Sequence, residues 1–191
     1  VNLCIGTDMT SRTRGFFAAT LVVMGVLLQA CGAVRVGVDH ELGVRFDRYQ
    51  TYSWDTPDGL PVGDPRLDNN PFFDSRVRAA VELELAAKGL RLVSESPDLV
   101  VHYHASVRQR IAILPRDAER GNVPVPERPS SDLLEFDEGT LIIDIAEANA
   151  KRILWRGWAQ TDVSGLIDNP REMEKRVRES VRKMISQLPK N

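Results

Sequence analysis

The stretch DLVVHYHASVRQRIAI, residues 98–113, decides the architecture. In it Leu99, Val101, Tyr103, Ala105 and Val107 alternate with His102, His104, Ser106 and Arg108. Successive side chains of a strand point to opposite faces, so this pattern predicts one long strand with an apolar face and a polar one. An apolar sheet face has to be covered, and two segments can cover it. Asn70-Pro71 offers a helix N-cap with proline at the first helical position; Phe73, Val77, Val81 and Leu85 then recur every four residues, and Gly89 stands where a C-cap glycine belongs. The device returns at Asn169-Pro170, followed by Met173, Val177, Val181, Met184 and Leu188 on one face, with Pro189 just beyond. The Arg-Val-Arg-x-x-Val runs at 76–81 and 176–181 read as coincidence of amphipathic design, because no strand pair around them repeats.

Four further segments, RFDRYQTYSWD (45–55), LRLVSES (90–96), TLIIDIAEA (140–148) and RILWRGWAQTDV (152–163), are rich in β-branched or aromatic residues and read as strands. In the last, Ile153, Trp155, Ala159 and Val163 share one face, and Arg156, Trp158 and Gln160 the other. EANAK, 147–151, is short enough for an antiparallel hairpin, whereas residues 115–131, with four prolines, predict a long exposed loop. The expected fold is α+β: a mainly antiparallel sheet with two amphipathic helices packed on one face, forming a single domain over residues 45–191.

The N-terminal end reads differently. Arg12 and Arg14 precede fifteen uncharged, mostly apolar residues, Phe16 to Ala30, and the run LVVMGVLLQACG (21–32) ends at a cysteine. A membrane-spanning helix needs about 20 apolar residues, so the order and length fit a secretory signal over residues 1–30. Leu28-Gln29-Ala30-Cys31 resembles the lipobox of bacterial lipoproteins. That resemblance implies cleavage after Ala30, lipid on Cys31, and, with Gly32 rather than aspartate next, sorting to the outer membrane. Met9 is the expected start, leaving a 22-residue signal, and residues 31–44 read as a lipidated tether.

A net charge of −2 with acidic and basic residues interspersed argues against a nucleic-acid partner. The only cysteines, Cys4 and Cys31, lie outside the predicted domain, which excludes a disulfide or thiolate metal site within it. The acidic turn region TPDGLPVGDPRLDNN (56–70) lacks the order of a calcium-binding loop. No HExxH, GxSxG or phosphate-binding loop occurs, and Ser164 in DVSG reads as a turn residue. His102 and His104 project together from a strand, but two ligands are fewer than zinc takes, so no metal, cofactor or catalytic set is assigned. The same two histidines fall with Arg156 and Trp158, and with Val100, Ile142 and Leu154, on the face turned from the helices. Arginine, aromatic and aliphatic side chains together are a composition found at contact surfaces.

The ordered segments FDRYQTYSWD, DPRLDNNPFFDSRVRAAVELELAAKGL, PDLVVHYHASV, EGTLIIDI, ILWRGWA and NPREMEKRVRESVRKMISQLP resemble the bacterial lipoprotein family of domain of unknown function 4136, over roughly residues 45–189. Where members carry an aromatic, glycine-rich stretch before the hairpin, this chain has RDAERGNVPVPERPSSD (116–132), so no role attached to that stretch carries over. The resemblance implies a fold and an envelope location, and it leaves the function open because the family has no assigned activity. The expected protein is a noncatalytic lipoprotein on the periplasmic face of the outer membrane, held by lipid and working through an envelope protein or a second copy of itself. The alternative is a periplasmic module that binds a small ligand or metal. A Cys31→Ser chain is expected to incorporate no palmitate and to leave the membrane fraction; a variant as membrane-bound as the parent would show that the anchor lies elsewhere.

Overall fold

The computed structural model describes residues 33–56, 62, 64–114 and 132–189. The signal segment, Cys31 and the proline-rich stretch 115–131 lie outside the described residues. Six strands and two helices follow in order: β1 (Arg35–His40), β2 (Thr51–Trp54), α1 (Pro71–Ala87), β3 (Arg91–Leu92), β4 (Leu99–Leu114), β5 (Asp132–Glu147), β6 (Ile153–Asp162) and α2 (Pro170–Ile185). The sheet order is β1-β6-β5-β4-β2-β3.

The α+β class stands, but the sheet is mixed rather than mainly antiparallel. β4, β5, β6 and β1 are antiparallel neighbours, whereas β2 runs parallel to both β3 and β4. The cause is α1. A chain that leaves β2 and returns through a helix to the same sheet arrives parallel to the strand it left. Alternation in sequence reports faces, not directions, and so missed this. Asp98 fastens the parallel corner: its Oδ2 accepts hydrogen bonds from the backbone N–H of Gln50 and Thr51 and from Thr51 Oγ1, each at 2.9 Å.

Two local expectations also change. Residues 35–40 are not tether: they form β1, an edge strand whose Val36, Gly37 and Val38 lie opposite Ala159, Trp158 and Gly157 of β6. Leu154 and Trp155 are both fully buried while Ile153 is 45% exposed, because a register shift at Ile145/Ala146 puts an extra residue into β6 and breaks the alternation there. Leu154 therefore belongs to the core and not to the open face.

Each helix is bounded as its caps require. Asn70 Oδ1 accepts from the N–H of Phe72 and Phe73 at 2.9 and 3.2 Å, and Asn169 Oδ1 from that of Glu172 at 3.3 Å. Gly89 takes φ +88°, where a side chain would be strained, and lets Leu90 N–H reach Leu85 O at 3.0 Å. Leu85 and Leu90 both enter the core, which ties the cap to packing. Arg66, ahead of α1, donates to Asp168, ahead of α2, at 2.7 Å, and Lys88 at the end of α1 donates to Leu188 O beyond α2 at 2.9 Å. Starts meet and ends meet, so the helices run side by side in one direction.

One core holds Leu99 and Val101 of β4, Ile143 and Ile145 of β5 and Trp155 of β6 together with Val77, Val81 and Leu85 of α1 and Val181, Met184 and Ile185 of α2. Trp155 Nε1 is buried without a hydrogen-bond partner among the described residues. Removing an indole from water contributes about 4–6 kcal/mol, against about 1–3 kcal/mol for the unpaired donor, so burial wins.

The backbone donors of Gln50 and then the Thr51 hydroxyl hold the Asp98 carboxyl below its ordinary value. A lowered carboxylate pKa contributes stability that is full above about pH 4 and is lost as pH falls through the folded-state value. Asp98→Ala is therefore expected to melt below the parent at pH 7, with the gap closing towards pH 2. Parallel melting curves for the two proteins at all pH values would contradict this.

Candidate functional site

The face of the sheet turned from the helices is organised by register into rows. One row runs Asp39, Arg156, Asp144, His102 across β1, β6, β5 and β4, and the next runs Gly37, Trp158, Ile142, His104. His102, His104, Arg156 and Trp158 thus lie in two adjacent rows, with Val100 beside them on β4 and Ile142 between Trp158 and His104.

The first row is fixed by charge. Arg156 Nε and Nη2 donate to the two oxygens of Asp144, each at 2.6 Å, in a bidentate pair. The hydrogen bonds to the Asp144 carboxylate raise the guanidinium above its ordinary value. In the second row the Trp158 ring lies over Gly37. A Cβ added to Gly37 would sit 2.2 Å from Trp158 Cζ2, so only glycine leaves room for the ring, which keeps 38% of its surface exposed. Further along the face, Glu138 is buried between Arg35 at 2.8 Å and Arg110 at 3.5 Å. Two ion-paired groups, Arg156–Asp144 and Arg35–Glu138–Arg110, therefore flank one exposed indole on this face.

Asp144 is the register neighbour of His102 that a metal site would need, and each of its oxygens accepts a hydrogen bond from Arg156. His40 belongs to β1 opposite Trp155, outside these rows. Among the described residues no group of three or more His, Cys, Asp or Glu is placed to hold a metal ion. Ser164 Oγ accepts from the Asp137 N–H at 2.8 Å, the bond of a turn residue.

A second feature escaped the sequence reading. A cleft of about 310 Å³ opens beside His102 and His104 where β4 passes the start of α1. Asp74 in it accepts from the Tyr103 hydroxyl at 2.8 Å and from Arg78 Nε at 2.9 and 3.0 Å. The Arg78 guanidinium lies 4.5 Å above the Trp54 ring, whose Nε1 donates to Glu82 at 2.9 Å. Asp74 and Arg78 stand four apart on α1, which is a visible helix pair; Trp54 and Tyr103 join them only through the parallel register of β2 with β4. Nothing in sequence reports that register.

Fold and face define a class: a mixed-sheet α+β domain with helices on one side and an ion-paired, aromatic face on the other. Residues 34–190 match the family described as Domain of unknown function (DUF4136), and the chain belongs to it. No curated protein matches the chain. Among solved structures, a PDZ domain protein from Parabacteroides distasonis is similar at 19% identity and a TM-score of 0.52, over 91% of this chain and 40% of that one. This chain thus spans less than half of that protein, and the likeness is one of fold. The PelC dodecamer from Paraburkholderia phytofirmans matches at 10% identity and a TM-score of 0.46, over 83% of this chain and 99% of that one.

Gly37→Ala is expected to expel the Trp158 ring and to raise its accessibility to acrylamide, a change that disappears in a Trp158→Phe background. Unchanged quenching would mean that the ring does not rest on Gly37.

Proposed function

We propose that this chain is a noncatalytic, lipid-anchored protein of the cell envelope, held at the periplasmic face of the outer membrane through Cys31, and that its open sheet face docks an envelope protein. The observation that carries the docking face is Trp158: a half-exposed indole seated on a glycine beside the Arg156–Asp144 pair. Aromatic and arginine anchors already held in place lose little freedom on binding, and such residues dominate contact energies. The lipid anchor is supported by the basic, apolar and lipobox order of residues 12–31 and by the family resemblance.

The second reading, a small-ligand module, is favoured by the cleft beside His102 and His104. Its polar groups argue against it. Asp74 already accepts from Arg78 and the Tyr103 hydroxyl, and Trp54 Nε1 donates to Glu82, so a ligand at these groups would have to compete with those bonds.

The test is site-specific photocrosslinking in intact cells with probes at Gln160 and Ser106 on the open face and at Leu83 on the outer side of α1. Adducts are expected from the first two positions and lost in Arg156→Glu/Trp158→Ala, with the melting temperature within about 4 °C of the parent. Undiminished adducts in that variant would place the contact elsewhere, and its unfolding would place these residues in the core.

A further inference from the structure

β1 ends the sheet on one side: its outer side pairs with no strand among the described residues, and the strand at the other end, β3, has only two residues. Edge strands are commonly guarded by proline, a bulge or charged side chains. RVGVDH has no proline and no bulge, and its two charges, Arg35 and Asp39, are opposite in sign.

The ladder fixes which groups face outward. Glu41 N–H donates to Leu154 O at 3.0 Å, continuing the series in which Asp39, Gly37 and Arg35 lie opposite Arg156, Trp158 and Gln160. In an antiparallel ladder alternate residues turn both backbone groups to the same neighbour. Arg35, Gly37 and Asp39 therefore bond towards β6, and Val36 and Val38 present their N–H and C=O to the outside.

That edge is complementary to itself. An antiparallel copy with Gly37 opposite Gly37 sets Val36 against Val38 in hydrogen-bonded pairs and Arg35 against Asp39 in the closer, non-hydrogen-bonded pairs, twice over. Asp39 is exposed and has no ion pair among the described residues. The Arg35 side chain is 66% exposed, and its partner Glu138 is shared with Arg110. Shifting the register so that Val38 meets Val38 sets Asp39 against Gly37 and Arg35 against Glu41, which Arg152 already holds at 2.7 Å. Of the two registers, the one centred on Gly37 is the one that sets an opposite charge against Asp39. In it the two glycines meet without side chains, and the two Trp158 rings that cover them approach across the junction, each burying part of its exposed edge.

We propose that two copies of this chain pair through β1 in that register, joining two six-stranded sheets into one and merging their open faces. The pairing stands whether or not the envelope reading does, since it needs neither Cys31 nor a second protein.

The test uses the purified full chain in detergent. Under mild oxidation Arg35→Cys/Asp39→Cys is expected to give a covalent dimer at least about tenfold more abundantly than the parent or either single variant, because opposed positions in a non-hydrogen-bonded pair come within disulfide reach while two copies of one position lie about 13 Å apart. Val38→Pro removes an outward donor and leaves the β6 ladder intact, so it is expected to weaken the sedimenting dimer at least about tenfold with little change in melting. Should that variant not fold, Arg35→Asp replaces it: the charge reversal weakens the dimer, and Arg35→Asp/Asp39→Arg restores it. A parent chain that stays monomeric at about 0.1 mM, single cysteines that crosslink as well as the pair, or a reversal without rescue would each overturn the proposal.

Discussion

The pairing of β4 with β5 is the constraint on which the rest of the molecule depends. Each strand is sixteen residues long, and they pair without interruption from Leu99 opposite Glu147 to Leu114 opposite Asp132. Such a ladder leaves no freedom about which side chains share a face, since a slip of one residue would turn Leu99, Val101 and Ala105 out to water and bring His102 and His104 into the core. The cost of that slip is several fully buried aliphatic side chains, each about 1.5–3 kcal/mol. No surface ion pair, at about 0–1 kcal/mol, could offset it. Hydrophobic register therefore sets the rows, and the charges of the open face follow.

This ordering of effects explains what was legible in sequence. The alternation in β4 and the four-residue spacing in α1 and α2 are repeated signals, each written many times over, and all three elements fold where those patterns put them. Asn70-Pro71 and Asn169-Pro170 work for a different reason: the asparagine oxygen and the missing proline N–H satisfy a helix start locally, without help from the rest of the fold. The placement of Arg156, Trp158, His102 and His104 on one face was legible because it needed only parity.

What was not legible depends on single residues or on distant partners. β1 is short and has glycine at its centre, and a glycine inside a strand weakens the local signal. Its strand character shows only in its ladder with β6, where the Trp158 ring occupies the place a Gly37 side chain would take. The extra residue at Leu154 is likewise invisible, because a bulge leaves composition unchanged and alters only parity. The parallel direction of β2 and the cluster of Trp54, Asp74, Arg78 and Tyr103 arise from a crossover, which brings together residues far apart in sequence.

Gly37 links the two sides of the functional argument. On the helix side of the sheet a residue matters through packing, and substitution there reads as stability. On the open side it matters through what the surface offers, and substitution reads as binding. Gly37 does both at once: it belongs to the edge ladder with β6, and its missing side chain leaves the room that the Trp158 ring occupies on the open face. Edge and face therefore share one steric condition, so a side chain at position 37 would disturb the exposed indole and the sheet edge together, while the β4–β5 ladder, two strands away from β1, would keep its register.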